Sequence, residues 1–280
     1  MSDTTPDPQI WEKLRQLSSY DTCSAFTRAF HTYITEILDE ALPTSPVRAL
    51  YAEHLELTLR YHMRMAAIGD REEVSLSDLQ SLADKRRISL EYILEIAGGM
   101  FPDGDPDQAG LCLIQAECCF HLRRVAEVIA FLERAMRHGA DDPLVCFALG
   151  YNRYARALDA FLRPGEQPGE FVTYDVVSYR AACLTAVSAF EQGLCGGALD
   201  SQLYWWIAHV LDSAGLPEAA QVARGHIGAA DEADGVAPEH DLAERTTETH
   251  DLPPITEEEV RAAAELLKRS FSIAEIEGAE

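Results

Sequence analysis

Apolar residues recur at intervals of three and four along most of this chain, the spacing of helices that bury one face. Between 21 and 41 the stripe is Phe26, Phe30, Tyr33, Ile34 and Ile37, and the same rhythm predicts helices over 8–18 and 46–68. The segment LPTSP at 42–46 interrupts it, leaving Ser45 as cap and Pro46 as first helical residue of the next helix. Ser75 or Ser77 is placed to cap a helix through Ala83, and Ser89 a further one through Ile96. The run GGMFPDGDPD at 98–107 then stops the pattern with glycines, prolines and aspartates. No stretch alternates convincingly between apolar and polar positions, so the expected fold class is all-α.

Residues 79–99 fit a further pattern at Leu82, Ala83, Ile88, Ser89, Ile93, Ile96 and Gly99. The stretch resembles a repressor-type helix-turn-helix, which implies two helices meeting at a corner. The residues themselves argue against a DNA reader. Ser89, Leu90, Glu91, Leu94 and Glu95 would face the bases; carboxylates repel phosphates, and leucine does not read polar base edges. Arg86 and Arg87 also stand where an apolar residue and a glycine are usual. The expectation is a packed helical corner without nucleic acid.

Charge strengthens that exclusion. The 280-residue chain has a formal net charge of −24, a pI near 4.6, and only Lys13, Lys85 and Lys268 as lysines, whereas duplex binding relies on cations that displace counterions. No apolar run reaches the roughly 20 residues of a membrane helix, and the polar N-terminus MSDTTPDPQIWEKLRQ has no signal-like core. The seven cysteines, at 23, 112, 118, 119, 146, 183 and 195, lie inside apolar helical patterns and read as reduced and buried. A cytoplasmic location follows as an expectation.

Beyond residue 107 the helical grammar repeats. AECCFHLRRVAEVIAFLERAM (116–136) reads as a helical hairpin, and ALGYNRYARALDAF (148–161) opens a second, with Gly150 falling 34 residues after Ala116. AVSAFEQGL (186–194) repeats the second-helix pattern of VIAFLERAM (128–136), and YWWIAHVLDSAGLPEAAQVA (204–223) forms a third hairpin with Gly215 at its turn. Leu149-Gly150, Ala135, Gly215 and Ala220 occupy positions where helices approach closely and small residues are needed. Over about 109–227 the chain resembles tetratricopeptide repeat proteins. That resemblance implies a right-handed α-solenoid of about three hairpins, preceded by an N-terminal helical region. Departures are the insert RPGEQPGEFVTYD (163–175), Arg123 at a turn where a small residue is expected, and Cys112 and Tyr204 where tryptophan is common. The domain order expected is therefore an N-terminal helical region (1–100), repeats (107–227), an acidic linker (228–255) and a C-terminal amphipathic helix (256–275).

Repeats of that family line a concave groove with their first helices. In the 34-residue frame the groove stripes are Leu113, Glu117 and Phe120; then Leu144, Phe147, Tyr151 and Tyr154; then Gln202, Trp205, His209 and Asp212. The partner-binding residues expected are Leu113, Phe120, Leu144, Phe147, Tyr151, Tyr154, Trp205 and His209. An aromatic groove with few charges suits an apolar peptide or amphipathic helix of another protein; the same stripe would be core if the insert or the last helix covers it. No lysine lies between Lys85 and Lys268, which argues against a carboxylate-gripping groove. The last hairpin is also similar to that of the class II chaperones of bacterial type III secretion, acidic repeat proteins that hold hydrophobic subunits.

Catalytic and metal signatures are wanting. There is no Gly-rich phosphate loop, HExxH, CxxC or GxSxG. Asp103, Asp105 and Asp107 have the spacing of a calcium loop, but Gln108 and Ile114 occupy the positions that need glycine and a bidentate glutamate. His54 and His62 lie eight apart without a third ligand, and His121 and His138 flank the second helix of the first hairpin. The reading is a non-catalytic chaperone or adaptor without cofactor or metal; a helix-turn-helix regulator and a structural subunit of an assembly are the alternatives. In the C-terminal helix Val260, Ala263, Ala264, Leu267 and Phe271 form a stripe suited to docking in the groove of its own chain until a partner displaces it.

Overall fold

The computed structural model describes residues 25–41, 46–69, 76–100, 108–164, 171–197 and 199–227, together with Gln16. The expected helix over 8–18 (Gln16 apart), the cap at Ser45, the aspartates of 103–107, the linker over 228–255 and the C-terminal helix lie outside these residues. The described chain is mostly helical: α1 (Ala25–Ala41), α2 (Pro46–Gly69), α3 (Leu76–Met100), α4 (Gln108–His121), α5 (Val125–Arg137), α6 (Pro143–Phe161), α7 (Val176–Gln192), α8 (Asp200–Ser213) and α9 (Pro217–Arg224). None of these helices is long and apolar enough to cross a membrane. Two compact units divide the chain, Met1–Ala140 and Asp141–Glu280, and the α4–α5 hairpin falls in the first with α1–α3.

In the first unit α4 is the central element. Its sequence QAGLCLIQAECCFH is apolar almost all round, and every residue from Gly110 to Cys119 is buried, as expected of a helix enclosed on all sides. Helix α1 packs on it through a close approach at Gly110, where a Cβ would lie 2.5 Å from Ile37. Helices α3 and α5 cover other faces with Leu90, Ile93 and Ala97, and with Val128, Ile129, Leu132 and Ala135. Arg48 at the start of α2 donates twice to Asp39 near the end of α1, fixing the angle between them. The α4–α5 turn is closed by the Arg124 amide on the Cys119 carbonyl, and it holds Arg123 at φ 60°, left-handed backbone that a side chain adopts at a cost.

Helix α3 overturns the expected corner. It runs unbroken for 25 residues through Arg86, Arg87 and Ser89 and includes Gly98 and Gly99. The reason is local: no proline or glycine occurs between Leu76 and Ala97, and lysine and arginine at the supposed turn are good helix formers. Ser89 is an internal helical residue rather than a cap. The helix-turn-helix reading has no turn on which to stand.

In the second unit each helix packs on its neighbour in sequence, α6 on α7, α7 on α8 and α8 on α9. Asp142 caps α6 by accepting from the Leu144 amide at 2.8 Å, with Pro143 at the first turn, and Asp175 caps α7 through the Ser178 amide at 3.0 Å. Gly215, at φ 74°, makes the α8–α9 turn. The insert corrects the all-helical expectation. Leu162–Pro164 (β1) pairs antiparallel with Phe171–Thr173 (β2), Leu162 opposite Thr173. Arg180 is 1 % exposed, and its Nε donates to the Ala214 carbonyl at 2.8 Å, tying α7 to the end of α8. The described cysteines are free; Cys112, Cys118, Cys119, Cys146 and Cys183 are buried as expected, but Cys195 is exposed.

Candidate functional site

Two clusters of side chains stand out, one in each unit. In the first, the apolar helix α4 carries Glu117 and, one turn later on the same face, His121. Helix α1 brings His31 and α2 brings Tyr51 and His54 to the same place. Glu117 is 4 % exposed, and Tyr51, His31 and His54 are fully buried. The Glu117 Oε1 lies 2.5 Å from His31 Nδ1 and 3.8 Å from His121 Nε2, and it accepts from the Tyr51 hydroxyl at 3.1 Å. The imidazoles are mutual neighbours, with ring centroids 5.8 Å apart for His31 and His121, 5.4 Å for His54 and His121, and 6.2 Å for His31 and His54.

The electrostatics follow from this crowding. Burial alone would raise the Glu117 carboxyl, but His31 and His121 outweigh it and hold the group well below the usual carboxylate range. Burial, reinforced by His121, drives His54 well below the ordinary imidazole range, and burial also lowers His121 against the pull of Glu117. Burial beside Glu117 pushes the Tyr51 phenol up. The cluster is thus one buried carboxylate faced by imidazoles and the Tyr51 phenol.

Sequence reasoning pairs His54 with His62 and His121 with His138. The structure instead joins His54 and His121 to His31 and Glu117, residues of three separate helices. His138 is exposed, at the end of α5, where its amide donates to the Ala135 carbonyl. What the sequence offered was a glutamate inside an apolar run one turn before a histidine, and histidines beside the buried stripes of α1 and α2.

The second cluster is aromatic. Trp206 of α8 is fully buried and touches Phe147, Tyr151 and Tyr154 of α6, Phe190 of α7, and Trp205 and His209 of its own helix, all with ring centroids between 5.4 and 6.4 Å away. The expected groove residues divide around it. Phe147 and Tyr154 are buried and belong to the core, as does Leu113 in the first unit. Tyr151, Trp205 and His209 are half-buried and keep ring surface outward, as does Phe120 in the first unit, and Leu144 is half-buried as well. Trp205 and His209 stack at 5.0 Å, one turn apart on α8. Trp206, which anchors the whole group, is hidden from the 34-residue frame because it lies next to the groove position rather than on it.

His209 gives this unit an acid dependence. Burial first, and then the nearby Arg224 guanidinium, lower its pKa to about 4; Arg224 is in turn paired with Asp212 on the turn after His209. Between the ordinary imidazole value of about 6.5 and about 4, the unfolded chain binds the proton and the folded chain does not. Stability therefore falls as pH falls through that window, by no more than about 3 kcal/mol and by less in proportion to the exposed part of the ring. Urea unfolding of wild type and His209→Gln across this range checks it: the variant should have the flatter profile.

No protein-family model matches this chain, and neither does any curated protein or solved structure.

Proposed function

We propose that this chain is a non-catalytic protein-interaction module, a chaperone or adaptor whose tetratricopeptide-like hairpins present an aromatic surface to an apolar peptide or amphipathic helix of a partner. The observation that carries this reading is the outward layer of Tyr151, Trp205 and His209 resting on the buried Trp206. Tryptophan and tyrosine held rigid over a packed base are what interfaces use as anchors, because little side-chain entropy remains to be lost on binding. The absence of lysine from 86 to 267 agrees with an apolar rather than an acidic ligand. The regulator alternative loses its footing with the continuous helix α3.

The test compares proteins captured from host lysate by wild type and by a Tyr151→Ser/Trp205→Ser variant whose helical content is checked by circular dichroism. A partner identified with wild type should bind the variant about 30-fold more weakly or worse, the loss of an anchor of roughly 2 kcal/mol. Undiminished binding by the folded variant would remove this surface from the function.

A further inference from the structure

Hydrogen bonding does not account for the cluster in the first unit. Neither ring nitrogen of the fully buried His54 has a partner, and neither have His31 Nε2 and Glu117 Oε2. Each orphaned buried polar group costs about 1–3 kcal/mol, so a fold that kept all of them unsatisfied would do better with apolar residues there. Ordered water would relieve some of them. The identity of the donors points further: two imidazoles and a single carboxylate, from α1 and α4, form a ligand set beside the buried His54.

The geometry suits one ion. The ligand atoms of His31, Glu117 and His121 all lie within 4.8 Å of one another. Metal–nitrogen and metal–oxygen bonds of about 2.0–2.2 Å place neighbouring tetrahedral ligands about 3.3 Å apart. The separations of 2.5 Å and 3.8 Å from Glu117 Oε1 to the two imidazoles bracket that value. Small rotations of the side chains bring them to it. His54 stands beside this group rather than in it, with its ring centroid 5.4 Å from that of His121 and 6.2 Å from that of His31.

We propose that His31, Glu117 and His121 bind a single divalent first-row transition-metal ion, with zinc as the reference, with water in the fourth position. Imidazole nitrogen with one carboxylate oxygen selects such borderline ions over magnesium or calcium, which favour all-oxygen shells. Cys119 is directed at Glu127, with its sulfur 3.8 Å from that carboxylate, so it is not a member of the set. The Tyr51 hydroxyl donates to Glu117 Oε1 at 3.1 Å and orients that ligand. The His121 side chain is 15 % exposed and provides the approach from solvent. The ion ties α1 to α4.

The test uses the full-length chain without a histidine tag, stripped with a chelator and titrated with zinc against a chromophoric competitor. Wild type should take up one tight equivalent and unfold at a higher temperature when loaded. His31→Ala/His121→Ala should abolish that equivalent, and Tyr51→Phe should weaken it by about 10–100-fold. Cobalt on the wild-type chain gives a readout that needs no variant to fold: the intense visible bands of a four-coordinate site are expected. Absence of a tight equivalent overturns the proposal, as does a weak six-coordinate cobalt spectrum. Retention of the equivalent by the folded double variant overturns it too, since the acidic residues elsewhere would then be the binders.

Discussion

Trp206→Ala is expected to cost the second unit about 3–5 kcal/mol, the range for deleting a fully buried large aromatic. The side chain has no exposed surface, and six other rings surround it. Those rings come from α6, α7 and α8, so none can move into the void without disturbing a helix interface. A loss of this size is a large share of the roughly 5–15 kcal/mol by which a domain is stable. The neighbouring Trp205 supplies the control. It is half-buried and has outward surface, so Trp205→Ala should cost about 1 kcal/mol, within the ordinary range for partly exposed positions. Urea denaturation followed by circular dichroism measures both. Equal costs would mean that the division between core and outward tryptophan is misplaced.

The contrast between those two tryptophans also marks where sequence reading succeeds and where it stops. Periodicity locates helices well: the stripe from Phe26 to Ile37 lies in α1, and the hairpins end where Gly215 and the Asp142-Pro143 cap require. Periodicity is weaker at deciding what covers a face. Phe147 and Tyr151 share one stripe, yet the first is buried and the second is not, because the packing of α7 and α8 decides it and no local pattern encodes that. The same limit explains α3, where a motif match over twenty residues competes with uninterrupted helix propensity and loses. The short β1–β2 pair was equally concealed: strands of three residues are too brief to alternate visibly.

The histidine cluster was the least legible feature. His31, His54 and Glu117 are 23 and 63 residues apart in successive steps, and a cluster assembled by tertiary packing has no spacing rule. Glu117 was readable as an anomaly, a carboxylate in the middle of a helix buried on every side. Such a residue needs a partner, because an unpaired buried charge costs several kcal/mol. His31 and His121 meet that need, and their position follows from packing rather than from motif spacing.

At Gly150 two effects of opposite sign can be weighed directly. In an open helix Gly→Ala stabilises by about 1 kcal/mol. Here a Cβ would lie 2.6 Å from two ring carbons of Phe190 and 2.8 Å from a third. Phe190 is fully buried, stacked on Trp206 at 6.1 Å and tilted against Phe147 at 5.8 Å, so its ring is not a flexible end that swings aside. Overpacking of this kind costs about 1–3 kcal/mol, which exceeds the propensity gain. Gly150→Ala should therefore destabilise the unit by about 1–2 kcal/mol by separating α6 from α7. The cause is separable from the effect. In a Phe190→Leu background the offending ring atoms are gone, and Gly150→Ala should there become neutral or stabilising, a coupling of about 1–2 kcal/mol in a double-mutant cycle. If alanine stabilises the wild-type protein, the α6–α7 contact is looser than the ring positions imply. A cost that persists unchanged without the ring would instead assign the requirement for glycine to the helix backbone.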